Sequence, residues 1–335
     1  MGAAEHGPDA DPSLAVHRVR NDRLDLAFLP AVGGRLLSLR VDGHELLWQN
    51  PDLFDPSARP RLRRAQWPVP DGTAGSWSNA GGSKTWVAPQ RRRDAPGWTG
   101  PPDPVFDDGR WSWASRPTQV GIELSMSSES DAVTGLRMHR TFTVPRRGTS
   151  FLLRIEQENV STVPVRWSPW EVCQVPWAVD GRGCRPRIEL ANRGEAPVDL
   201  GDWVGSARWR QDGSWLVLPW QHVVAKRGVA DATGCVRWVG PRGETLELGF
   251  DPDDDAEYPD GGSRAEVWMQ CPTTAPLSGT DGMWPRHAYA ELEVLGPLVS
   301  LAPGDARAIE IRWTASAPSD MTRPTDDHPD RSNDA

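Results

Sequence analysis

The chain has 335 residues, with 32 Gly, 32 Pro and an inverted aromatic balance of 18 Trp against 6 Phe and 2 Tyr, at a formal net charge of −9. That charge excludes a general nucleic-acid-binding face, which needs a basic surface. No apolar run approaches the roughly 18 residues of a membrane span, and the opening MGAAEHGPDADPS lacks the basic and apolar regions of a secretory signal, so the cytoplasm is the expected compartment. The polar, Pro-rich and acidic residues 1–12 and 317–335 read as disordered tails.

Between the tails, residues 13–316 read as one all-β domain. LDLAFLP, RLLSLRVDG and HELLWQN are short apolar runs, with a hairpin turn at Asp42-Gly43. Residues 54–114 are rich in Pro, Gly and Trp and read as a long functional loop that folds over one end of the domain and shapes a pocket. TQVGIELSMSS, LRMHRTFTVP and SFLLRIEQENVS then alternate, as do WLVLPWQHVVA, TLELGFD, AEVWMQ, AYAELEVLG and ARAIEIRWTAS. No segment sustains a helical period with caps. Strands recurring every 8–15 residues with turn residues between them predict a large antiparallel sandwich.

Side chains that can carry chemistry fall into a few groups. In HAYAELEVL, alternation puts His287, Tyr289, Glu291 and Glu293 on one face, and Ala288, Ala290, Leu292 and Val294 on the core face. Glu266 and Gln270 share a parity with Trp268. NAGGSKTWVAPQ combines Asn79, a Gly81-Gly82 pair suited to close approach of a ligand, Lys84, Trp86 and Gln90. Trp77 and Trp98 lie nearby as stacking surfaces, and His222 sits on PWQHVV. Only two of the 37 basic residues are Lys, at 84 and 226, and Lys differs from Arg in being a compact donor whose pKa can shift. The Asp251, Asp253, Asp254, Asp255 and Glu257 run has Ala256 where a calcium loop needs Gly, so it reads as a solvated loop. Cys173, Cys184, Cys235 and Cys271 lack metal-ligand or C-x-x-C spacing. No metal is expected.

LAFLPAVGGRLLSLRVDGHELLWQNP, NAGGSKTWVAPQ, WSPWEVCQVP and AYAELEVLGPLVSLAPGD, in this order, resemble the galactose mutarotase-like (aldose 1-epimerase-like) superfamily, within it a bacterial branch. The resemblance implies a β-supersandwich whose broad concave face binds a sugar. It also implies a Glu as general base on the anomeric hydroxyl and a His as general acid on the ring oxygen. Leu292-Glu293 resembles the pair that carries the base, with Glu291 as its neighbour about 7 Å away along the strand. The stretch matching the acid's strand has no His; Trp170, Glu171 and Gln174 stand there, leaving Lys84, His222 and His287 as candidate donors. Arg35, after Gly33-Gly34, is either a substrate contact or an ion-pair partner.

The expected function is an isomerase acting by acid/base chemistry on a sugar or sugar-like cyclic substrate, without a cofactor. The alternatives are a non-catalytic carbohydrate-binding protein and a mutarotase-fold enzyme recruited to a non-sugar substrate in secondary metabolism. The expected partner is a small molecule, with neither nucleic acid nor membrane; the oligomeric state is open. Because about half of the excess Trp gathers at 67–113 and 167–177, the cleft is expected to recognise its ligand through aromatic faces.

Overall fold

The computed structural model describes residues 11–91 and 97–318. The segments read as tails lie outside these residues, apart from 11–12 and 317–318. Among the described residues no helix is long and apolar enough to cross a membrane.

The strands form two large antiparallel sheets. The larger runs through His17–Arg20, Leu24–Leu29, Arg35–Val41, Ser83–Ala88, Val165–Pro176, Tyr289–Leu295, Ala265–Gln270, Val224–Val229 and Val198–Val204, with His44–Glu45 and Val299–Leu301 paired beside it. The smaller runs through Arg210–Asp212, Trp215–Pro219, Arg187–Asn192, Ala232–Val239, Thr245–Phe250, Ala306–Ser316, Ser150–Asn159, Leu136–Pro145, Gly121–Ser127 and Ser112–Pro117. Asp42 and Gly43 close the hairpin between Arg35–Val41 and His44–Glu45 with φ of 49° and 83°, as a tight two-residue turn requires.

The two sheets bury one face each against the other. Phe28 and Phe142 meet across this interior with ring centroids 4.9 Å apart. An ion pair also bridges the sheets, Arg140 Nη2 lying 2.7 Å from Glu171 Oε1. Ser83 and Thr85 donate to the same carboxylate, so the buried charges keep hydrogen-bond partners. Glu171 therefore belongs to the interior.

Strand appearance in the sequence follows from what covers the second face. Leu136–Pro145 alternates strictly between buried and half-buried positions, because one of its faces meets water. Ser83–Ala88, Ala265–Gln270 and Tyr289–Leu295 are buried at every position. The outer face of the larger sheet is covered too, and residues within 72–77, 90–91 and 99–101 supply part of that cover. This corrects the expectation for residues 54–114: Ser83–Ala88 is a central strand of the larger sheet and Ser112–Pro117 an edge strand of the smaller.

Candidate ligand-binding site

The outer face of the larger sheet floors a cavity of about 1120 Å³. Trp86, Trp170, Glu291, Tyr289, Trp268 and Lys226 form its floor, one or two from each of five adjacent strands. Residues within 72–77, 90–91 with 99–101, 199–203 and 278–283 form its walls. The long Trp-rich stretch thus walls the cavity by way of Trp77, Gln90 and Arg91.

Cross-strand register explains which side chains meet. Gln174, Glu291, Trp268 and Lys226 lie opposite one another in one row. Lys84, Val172, Glu293 and Glu266 form the next row. Each lysine reaches into the other row: Lys84 across the intervening strand to Glu291, and Lys226 to Glu266 on the adjacent strand and Glu293 on the next. Lys84 Nζ lies 3.1 Å from Glu291 Oε1, to which Gln174 Nε2 also donates at 2.8 Å. Lys226 Nζ lies 2.6 Å from Glu266 Oε2 and 2.9 Å from Glu293 Oε2. Trp170 Nε1 donates to Glu293 Oε2 at 2.8 Å.

Aromatic faces enclose both ammonium groups. Lys84 Nζ stands 4.7 Å from the centre of the Trp86 ring and 5.5 Å from that of Trp77. Lys226 Nζ stands 4.3 Å from the Trp170 ring, within cation–π range. Trp86 and Trp170 pack edge to face at 5.3 Å, and across the cavity Trp203 and Trp268 lie 5.0 Å apart.

Burial sets the protonation of this cluster. Glu293 is pushed up to about 8, first by loss of water and then by Glu266 and Glu291 nearby, with Lys226 opposing. Burial pulls Lys84 below its usual value, against the attraction of Glu291. Burial raises the Tyr289 phenol well above its ordinary value, and the Glu291 charge adds to the rise. Two lysines and three glutamates, one of which holds its proton more tightly because of burial, therefore stand within one patch, an arrangement suited to proton transfer.

The residues singled out in the sequence divide by position. Glu291, Trp77, Trp86, Gln90 and Trp170 line the cavity. Glu293, Glu266, Lys84 and Gln174 lie beneath the lining and touch it through the contacts above. Trp98 is buried behind Trp86 and Trp170, its Nε1 on Asp103 at 2.9 Å. His287 pairs with Asp52 at 2.8 Å and His222 is exposed; neither lines the cavity. Asn79 is buried and does not line the cavity.

Two close approaches differ from the expectation. Arg35 is buried in an ion pair with Asp107 and donates to Gly81 O at 2.9 Å, so of its two readings the ion pair is the one the structure shows. Gly81 and Gly82 approach the chain's own backbone: added β-carbons would lie 2.5 Å from Trp48 O and 2.4 Å from Leu36 O. The Gly pair is needed to seat the Ser83–Ala88 strand against its neighbours. Of the Trp cluster, Trp67, Trp98, Trp111 and Trp177 are buried packing residues and Trp113 is exposed. Trp203, packed against Trp268, supplies a further aromatic surface instead.

Sequence reasoning did not place Lys226, Trp203, Asp199 or Asp202 at the site. The scarcity of lysine was the one signal for Lys226, and nothing local distinguishes the other three.

No family model matches the chain, and no curated protein matches its sequence. Solved structures do match its fold. A proposed aldose 1-epimerase from Klebsiella pneumoniae subsp. pneumoniae MGH 78578 superposes with a TM-score of 0.57 at 13% identity, over 90% of this chain and 79% of that one. A galactose mutarotase-like protein from Clostridium acetobutylicum gives 0.52 at 9% identity, over 90% and 95%. A TPR-domain containing protein from Parabacteroides distasonis ATCC 8503 gives 0.53 at 14% identity; there 94% of this chain spans about half, 51%, of the other. Two facing antiparallel sheets with a ligand-sized cavity on the outer face of the larger one are, in this chain, the galactose mutarotase-like β-sandwich fold.

Proposed function

We propose that the cavity binds a sugar or sugar-like cyclic compound, and that Glu291 acts on it as general base in an isomerisation of the aldose 1-epimerase kind. The observation that carries this reading is the placement of Glu291. It is the one carboxylate on the cavity floor among the described residues, held by Lys84 and Gln174. Around it, Trp86, Trp170 and Trp268 line the cavity with aromatic surface suited to the C–H groups of a sugar ring, while Gln90, Arg91 and Lys226 supply donors for hydroxyls. Proton transfer of this kind needs no cofactor. A reducing, cytoplasmic setting is part of the reading, in keeping with four free cysteines.

One observation favours a carbohydrate-binding protein without turnover: no histidine lines the cavity among the described residues. Polarimetry on freshly dissolved α-D-glucose and α-D-galactose, with calorimetric titration of the same sugars, separates the two readings. The isomerase reading expects faster anomer exchange that Glu291→Gln lowers by about 100-fold or more. Binding without exchange supports the binding protein. Absence of binding across a monosaccharide panel overturns the sugar reading and points to a non-sugar ligand.

A further inference from the structure

The only two lysines of the chain, set against 35 arginines, are both buried at the floor of this cavity. Other buried cationic positions are filled by arginine: Arg35 against Asp107, Arg140 against Glu171, and Arg227 against Asp199 and Asp202. A guanidinium supplies fixed charge and keeps its proton in proteins, whereas an ammonium can release one. Lysine in this company marks a position where the proton itself is used. Of the two, only Lys226 lines the cavity.

We infer that Lys226 is the proton donor to the ligand, with the buried Glu266 and Glu293 beneath it as positioning residues. This rests on the acid/base reading of the cavity. Lys226 and Glu291 flank Trp268 in the same row of the sheet, so their backbones are two strand spacings, about 9.5 Å, apart. Both side chains line the same cavity, with Trp268 between them. As Glu291 takes the proton of the anomeric hydroxyl, the Lys226 ammonium gives one to the ring oxygen. The ring C–O bond breaks and the carbonyl forms. On reclosure to the other face, the carbonyl oxygen recovers a proton from the Glu291 carboxyl, and the ring hydroxyl returns its proton to the Lys226 amine. Protons balance over the cycle. Glu293, whose hold on its proton is raised by burial, keeps Lys226 in place through Oε2 at 2.9 Å.

The test compares wild type with Lys226→Arg and Glu293→Gln, using α-D-glucose and α-D-galactose as probes and thermal unfolding to confirm the fold. Lys226→Arg keeps the charge but removes the releasable proton. It is expected to leave KM within about three-fold and to lower kcat by about 100-fold or more. Glu293→Gln, which alters the contact that positions Lys226, is expected to move the alkaline limb of the pH profile, and an unmoved limb would remove Glu293 as a positioning residue. Wild-type kcat in Lys226→Arg overturns Lys226 as donor and leaves the Glu291 reading standing. A wild type that binds the sugars without exchanging anomers overturns both. Should Lys226→Arg fail to fold, ¹⁵N-lysine labelling of the wild type gives only two Nζ signals. Failure of added sugar to move the one that Glu293→Gln shifts overturns the proposal.

Discussion

Lys84 and Glu291, 207 residues apart in sequence, meet at 3.1 Å on the outer face of the larger sheet. The strand between them, Val165–Pro176, holds both of their strands in register. Lys84 is fully buried beneath Trp86, so the pair is made in a dry environment where removing one partner is costly. Lys84→Met should destabilise the protein by about 3 kcal/mol in urea unfolding. Adding Glu291→Gln should recover part of that loss, because the uncompensated carboxylate is gone. Additive losses in the double variant would show that the two groups are not coupled.

Glu293 gives the protein a pH-dependent stability with a definite sign. Its folded value of about 8 lies above its ordinary value of 4.5. The folded state therefore holds a proton that the unfolded state releases. Its favourable contribution is fully present below about 4.5 and is lost as pH rises through about 8. Melting temperatures across pH 5 to 9 should fall less steeply in Glu293→Gln than in wild type. Parallel curves would mean that Glu293 is ionised in the folded protein.

Trp203, on the cavity wall, packs against Trp268 on the floor, and both line the cavity. Trp203 is only partly buried, so its removal leaves the core intact. Trp203→Ala should weaken sugar binding by roughly 1 kcal/mol, about five-fold, with little change in melting temperature. Calorimetric titration with unchanged affinity would remove this wall from the site.

Gly82 has φ of 72°, and an added β-carbon would meet Leu36 O at 2.4 Å. Gly82→Ala should destabilise the fold by at least about 2 kcal/mol through both strain and overlap. Since Gly82 does not line the cavity, a folded Gly82→Ala that loses only ligand affinity would contradict its structural role.

Much of the architecture was legible locally. Strict alternation in LRMHRTFTVP and the Asp42-Gly43 turn carry their geometry in a few adjacent residues. The parity of HAYAELEVL likewise puts Tyr289, Glu291 and Glu293 together on the outer face, away from Ala290 and Leu292. SKTWVA was read as loop because a six-residue strand buried on both faces has no alternation to display. Its flanking Gly81-Gly82 looked like a ligand loop, since a requirement for positive φ does not reveal what the backbone is making room for.

The sequence by itself determined the all-β sandwich, the face on which the acidic residues of Tyr289–Leu295 lie, and the oddity of two lysines among many arginines. Strand periodicity and composition are local properties, and one sequence suffices to read them. Only the tertiary structure decided that Lys226 rather than His222 or His287 reaches the cavity, that Arg35 is held by Asp107, and that Glu293 is sealed under Lys226 and Trp170. Those outcomes depend on which strands become neighbours and in what register. Long-range pairing sets that, and with it the burial that moves a carboxyl such as Glu293 to about 8.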